Sequence, residues 1–241
     1  MHLLRYRQIH LDFHTSPHIP GIGAKFNKKH CQNGGDCTLR EWIIRQPKNE
    51  PILDMRQAWK ADANLEGGTV RVGWNGRGLL LHATLPDFDI FNPVTEFNEP
   101  AFLKGDVFEI FIRPLSQDAY YEIHISPNNQ QYQVRLSSKR ATQNSDETLR
   151  PTIVTVPVES MVQIDRPNNR WEVFAEIPIA EICENTPIQA ESDWLVSFSR
   201  YDYTRSAEGM TFELFSTSPH KQPSFHRQQE WTLFILEQPR K

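Results

Sequence analysis

The chain has 241 residues, with 26 Lys and Arg against 30 Asp and Glu and a formal charge of −4. That balance excludes the basic footprint of a nucleic-acid binder, and no apolar run approaches the ~20 residues of a membrane-spanning helix, so no membrane partner is expected. Fourteen Phe, six Trp and six Tyr supply aromatic faces for a core or a ligand, and seventeen Pro against eleven Gly suit short strands joined by stiff turns.

The opening Met1-His2-Leu3-Leu4-Arg5-Tyr6-Arg7 lacks an apolar signal core and a small-residue cleavage site, which gives no export signal and leaves the compartment unassigned. Ile9 to Thr15 alternates like a strand and puts His10, Asp12 and His14 on one face. Two imidazoles and a carboxylate are a donor set for zinc or iron, the alternative being the leftover opening of a barrel. Ser16 to Gly23 is a turn-rich loop, and Ala24 to His30 starts a helix that Cys31 to Asp36 interrupts. The three cysteines, Cys31, Cys37 and Cys183, are odd in number, which argues against a disulfide framework. Cys31 and Cys37 do not have the spacing of a zinc knuckle. One bridge between them, or free thiols, both remain open. Leu39 to Ile44 is an edge strand or a short helix. The Pro-rich Gln46 to Pro51 marks a boundary between an appendage, residues 1–48, and a main domain, residues 49–241.

In the main domain, Gln57 to Ala63 is expected to form a short helix. Thr69–Trp74 and Gly78–Leu85 form a hairpin around Asn75-Gly76-Arg77, a strong turn signal. Asp87 to Lys104 is a long loop whose Phe88, Phe91, Phe97 and Phe102 argue for order. Val107 to Ile112 alternates strictly, with Phe108, Ile110 and Ile112 on one face and Val107, Glu109 and Phe111 on the other. After a polar break, Tyr121, Ile123 and Ile125 oppose Glu122, His124 and Ser126, completing an antiparallel hairpin with acidic and imidazole groups at interior positions. Gln130–Leu136, Ile153–Val158, Met161–Ile164, Trp171–Ile177, Trp194–Arg200, Phe212–Phe215 and Trp231–Leu236 read as further strands. Ser137 to Arg150 is a polar loop, and Ile179 to Cys183 is one helical turn. Frequent short strands with almost no helix predict an all-β fold, a two-sheet antiparallel β-sandwich. Trp74, Trp171 and Trp194 are expected in its core.

The block Gly105-Asp106-Val107-Phe108-Glu109-Ile110-Phe111-Ile112 and its tyrosine-rich partner strand resemble the family 9 carbohydrate-binding modules. So do Trp171-Glu172-Val173-Phe174-Ala175-Glu176-Ile177-Pro178 and the C-terminal Phe225 to Leu236. The similarity spans roughly residues 50–237. It implies a β-sandwich that binds sugars and does no chemistry, often secreted and often attached to a glycoside hydrolase. It also implies the site. Glu109 is the carboxylate on the Asp106-x-x-Glu109 strand, His124 the polar group on the next strand, and Arg200 points into the same neighbourhood. Where the family grips sugar ends with two tryptophans, this chain offers Phe102 and Phe215, which stack more weakly and lack an N–H. Structural calcium is a further implication, with Asp87, Asp89 and Asn92 as loop candidates. Separately, the first thirty or so residues, with Arg7-Gln8-Ile9-His10-Leu11-Asp12-Phe13-His14-Thr15, resemble the opening of a glycosidase-like (β/α)8 barrel, of which seven strands are absent.

Other constellations are weaker. Ser199 to Arg205 reads as an amphipathic strand end, with Tyr201 and Tyr203 on one face and Arg200 and Asp202 on the other, serving either a ligand or a solvated rim. His226 and Trp231 read as structural. Glu109 paired with Arg113 or Arg200 is the bland alternative to a sugar site. No G-x-S-x-G, H-E-x-x-H or phosphate-cradling glycine loop is present. The leading expectation is therefore a non-catalytic module for a saccharide or polysaccharide. The rivals are a glycoside hydrolase using Glu109 with a second carboxylate, and a docking sandwich that binds no sugar.

Overall fold

A computed structural model describes residues 52–61, 66–137, 150–183 and 193–236. The appendage, its barrel-like opening, His10, Asp12 and His14, and Cys31 and Cys37 lie outside the described residues. Among the described residues twelve strands form two antiparallel sheets. The smaller sheet contains β1 (Ile52–Met55), β2 (Gly68–Trp74), β3 (Gly78–Pro86), β8 (Glu159–Asp165) and β9 (Arg170–Pro178), in the order β1-β2-β3-β9-β8. The larger contains β4 (Val107–Pro114), β5 (Tyr120–Ile125), β6 (Gln131–Ser137), β7 (Arg150–Ile153), β10 (Asp193–Ser206), β11 (Gly209–Ser216) and β12 (Thr232–Ile235). Its order is β11-β10-β4-β5-β6-β7, with β12 also on β10. At fourteen residues β10 is long enough to take β12 beside its first half and β11 beside its second. No helix among the described residues is long and apolar enough to cross a membrane.

The alternation read from sequence places the core. Phe108, Ile110, Ile112, Ile123 and Ile125 point inward with Trp194, Val196 and Phe198, and meet Val70, Leu81, Trp171 and Val173 of the smaller sheet. Trp74, Trp171 and Trp194 are all buried there. The turn of the β2–β3 hairpin works through Asn75, whose Oδ1 accepts the N–H groups of Arg77 and Gly78 at 2.9 and 2.7 Å, with Gly76 at φ 87°.

The larger sheet is covered on its outer face as well. A second apolar cluster there joins Phe111, Tyr120, Val134, Leu136 and Leu195 to Phe225 and Trp231 from the segment before β12. The loop over residues 87–106 adds Val94 and Ala101 against Val107. This double cover is why β5 is buried throughout and β4 almost so.

Three elements differ from expectation. Ile52–Met55 is a strand because it finds the open edge of β2, pairing Leu53 with Val70. After Met55 the chain turns, with Lys60 N–H on Gln57 O at 2.9 Å, and the Gln57 side chain reaches Glu213 and Leu214 O. The expected helix is absent over its described part. The strand expected at Ile153–Val158 occupies only Arg150–Ile153. Beyond it the Gln133 side chain replaces the ladder, accepting from Val156 N–H at 2.6 Å and donating to Val156 O at 3.0 Å. The phenylalanines of the long loop split. Phe102 is half-buried, whereas Phe88 is 90% exposed.

Gly67, at the entry to β2, lies against the Phe215 ring, and its carbonyl accepts from Arg200 at 3.1 Å. A Cβ there would overlap the buried ring, which has no free space to retreat into. Gly67→Ala is expected to lower stability by about 1–3 kcal/mol, as overpacking does, read as a shifted midpoint in urea unfolding.

Candidate functional site

The outer face of β4 and β5 carries three polar side chains in one place. Glu109 pairs across the ladder with His124, and Glu122 lies two residues before it on the same face. His124 Nε2 is 2.6 Å from Glu122 Oε1 and 3.4 Å from Glu109 Oε1. All three are buried, Glu109 at 2% exposure. The contact between Glu109 and His124 is too long and poorly directed for a strong hydrogen bond. Glu109 meets neither Arg113 nor Arg200, so it belongs to neither expected ion pair.

Their titration follows from this crowding. Burial pushes Glu109 up to about 8, against the pull of His124. Burial also pushes Glu122 up, but the hydrogen bond and charge of His124, helped by His226, bring it below the usual carboxylate range. Burial alone would hold His124 down. The two carboxylates nonetheless carry it above the usual imidazole range. Glu122 thus leans to its carboxylate and His124 to its imidazolium, beside a Glu109 that keeps its proton at neutral pH.

Aromatic rings wall this group. Phe102 meets the His124 ring edge-on at 5.4 Å between centroids, and Tyr132 lies 5.2 Å from it. Tyr201 is 6.1 Å from Phe102, and Phe212, 49% exposed, is 5.3 Å from Tyr201. The rings of Tyr201 and Tyr203 stack at 6.2 Å on the face they were expected to share.

Two segments bring the walls into place. The long loop is fastened by Asp106, whose carboxylate accepts the N–H groups of Phe91 and Tyr203, each at 2.7 Å. Tyr203 Oη donates to Phe102 O at 2.7 Å, which fixes Phe102 over the sheet. The other segment precedes β12. Trp231 Nε1 donates to Phe225 O at 2.8 Å, and Glu230 gathers Arg227, His220 and the Lys221 N–H. This segment lays His226, with its side chain 40% exposed, over the polar group. Its Nδ1 is 2.7 Å from Tyr120 Oη and 3.8 Å from Glu122 Oε2. Trp231 is structural, as expected. His226 instead belongs to the site.

Arg200 and Phe215 are elsewhere. Arg200 pairs across the ladder with Phe108, and Ser199 with Glu109. Period two then sends Arg200 to the inner face, away from the cluster. There it is fully buried, donating to Gly67 O and Pro86 O at 3.1 and 2.7 Å and pairing with Asp87 and Asp202 at 3.3 and 3.0 Å. Phe215 lies beside it, with the guanidinium 5.9 Å from the ring centroid. Arg200 is thus no solvated rim residue, while Thr204 and Arg205 beyond it are exposed. Of the expected site residues, the fold brings together Glu109, His124, Phe102 and Tyr201. It adds Glu122, Tyr132, Phe212 and His226. Parity with His124 marks Glu122 in the sequence. No local signal marks His226.

The calcium candidates divide as well. Asp87 joins Asp106 and Asp202 around Arg200. Burial pushes all three up, Asp106 to about 8 and Asp202 to about 6, while Arg200 pulls the other way. Asp89 leaves the group for Arg205, accepting its backbone N–H at 2.8 Å and its Nε at 3.0 Å. Asn92 is committed to the backbone of Val94, Ala101 and Asp106.

No protein-family model matches the chain, and no curated protein matches it. Solved structures do. A presumed carbohydrate-binding protein from Bacteroides uniformis superposes with a TM-score of 0.59 at 14% identity, covering 78% of this chain and 87% of that one. A family 9 carbohydrate-binding module from Caldicellulosiruptor kristjanssonii, in complex with glucose, superposes with a TM-score of 0.50 at 10% identity, over 78% of this chain and 85% of that one. The fold is that of the family 9 carbohydrate-binding modules. Within this fold the outer face of the larger sheet holds the acid–imidazole group, and the space between the sheets holds Arg200.

Two outcomes follow from the charge network. Arg200→Met leaves buried carboxylates unpaired and is expected to lower stability by about 3–5 kcal/mol, measured by chemical denaturation. Glu230 is drawn from its ordinary 4.5 to about 2, first by its hydrogen bond to Arg227. A depressed carboxylate stabilises the fold above its unfolded pKa and loses that contribution as pH falls through the folded one. Unfolding followed between pH 4.5 and 2 should therefore show a fall in stability that is smaller in Glu230→Gln.

Proposed function

We propose that the outer face of the larger sheet binds a saccharide without transforming it. One observation carries the reading. Glu109 is a buried carboxyl with no hydrogen bond among the described residues, on the floor of a group walled by half-buried aromatic rings. Sugars are bound by that pairing of chemistries, hydrogen-bonding groups for the hydroxyls and ring faces for the apolar C–H side. The fold shared with a module solved with glucose supports it.

The sugar meets the accessible rim first, at Tyr201, Phe212, Phe102 and His226. Its hydroxyls then reach Glu122, with Glu109 and His124 behind. Arg200 and Phe215 face the other way, and their part is to hold the sheets together. In its natural setting the module would raise the local concentration of polysaccharide for an associated glycoside hydrolase.

A glycan-array screen of the purified protein, followed by calorimetry on each hit, tests this. Binding should vanish in Glu109→Ala and weaken by about 1 kcal/mol in Tyr201→Ala, as loss of a stacking ring does. A blank array from folded protein would rule the saccharide reading out and favour docking on a protein. Turnover of aryl-glycosides that disappears in Glu109→Gln would instead establish a hydrolase.

A further inference from the structure

We propose that Glu109, Glu122, His124 and His226 form a binding site for one zinc-class divalent cation. This does not rest on the saccharide reading, because the donors converge whether or not a sugar binds. Ligand atoms of Glu109, Glu122 and His124 all lie within 4.8 Å of one another, in a fully buried setting. Zinc bonds nitrogen and oxygen at about 2.1 Å, so neighbouring donors of a tetrahedral site are about 3.4 Å apart. His124 Nε2 and Glu109 Oε1 stand 3.4 Å apart. Glu122 needs only to open from its 2.6 Å hydrogen bond with His124. His226 Nδ1, 3.8 Å from Glu122 Oε2 on the exposed side, stands outside that three-residue group and is 2.7 Å from Tyr120 Oη, so it would turn inward to complete the set.

A second observation points to a missing partner. Buried polar groups are almost always hydrogen-bonded, and an exception calls for an explanation such as an ion. Among the described residues the buried polar atom of this group without a hydrogen bond is His124 Nδ1, and Glu109, 2% exposed, meets only His124, at 3.4 Å. Among the described residues the ion pairs of Glu109 and Glu122 are all with histidines, with no Lys or Arg partner. One divalent cation with two carboxylates and two neutral imidazoles sums to zero charge, which suits a dry site. Nitrogen and carboxylate donors together favour zinc or cobalt over calcium, which takes oxygen alone. His226, on the exposed side, gives the ion an entry.

The full chain, stripped with a chelator and measured without saccharide, is titrated with Zn(II) and with Co(II). One equivalent of zinc should bind, cobalt should show the visible absorption of a tetrahedral site, and the unfolding temperature should rise with zinc. Glu109→Gln should weaken uptake by at least about tenfold. His226→Ala, with its fold checked by the unfolding temperature because Tyr120 Oη loses a partner, should weaken it too and alter the cobalt spectrum. The double variant His10→Asn/His14→Asn, in the N-terminal residues, should leave both unchanged. Absence of stoichiometric zinc on folded wild-type protein would overturn the site. So would uptake that survives both Glu109→Gln and His226→Ala, or that is lost only with His10 and His14. If Glu109→Gln fails to fold, the His226→Ala arm decides.

Discussion

The central strands of the larger sheet, β4 and β5, are covered on both faces. On the inner side they meet the smaller sheet, and on the outer side they meet the long loop and the segment before β12. In an ordinary sandwich the outward half of each alternating strand is solvated. Here that half is closed over, and the polar side chains that alternation sends outward have no water to face. Glu109, Glu122 and His124 are consequently confined together, and their protons are shared out by proximity and burial. The shape and chemistry of the candidate site are consequences of that second cover.

The same strands solve a second charge problem on the other side. Arg200 runs into the space between the sheets and finds backbone carbonyls at the ends of β2 and β3, with Asp87, Asp106 and Asp202 around it. A guanidinium has enough donors in a fixed fork to satisfy several acceptors at once. Through these contacts the inner cluster ties one sheet to the other. The outer cluster has only imidazoles as counter-charges and one carboxyl without a hydrogen bond. The two groups have similar composition. Among the described residues the outer one, beside half-buried rings, is the one that a ligand could reach.

Much of this was legible in the chain. Strict alternation in Val107–Ile112 and Tyr121–Ile125 assigned each side chain to a face, and those assignments agree with the structure. The Asn-Gly turn, the tryptophan core and the two-sheet fold were readable for the same reason, since each depends on neighbours in sequence. Arg200 was misplaced although alternation with Trp194, Val196 and Phe198 puts it on their inward face, because nothing near it in sequence marks the carbonyls of Gly67 and Pro86 and the Asp87 carboxylate that receive a buried guanidinium. Gln133 replacing a ladder beyond Ile153 was hidden likewise, since it joins residues 23 apart.

The sequence by itself determined the period of each strand, and therefore which residues share a face, because side-chain alternation is a property of the extended backbone. Only the tertiary structure decided which faces meet. That depends on strand order, register and the path of two covering segments, set by the burial of apolar surface contributed from distant parts of the chain. His226 shows the difference. It lies some hundred residues from Glu122 in sequence and 3.8 Å from it in space, a proximity created only when Phe225 and Trp231 pack against Phe111 and Tyr120.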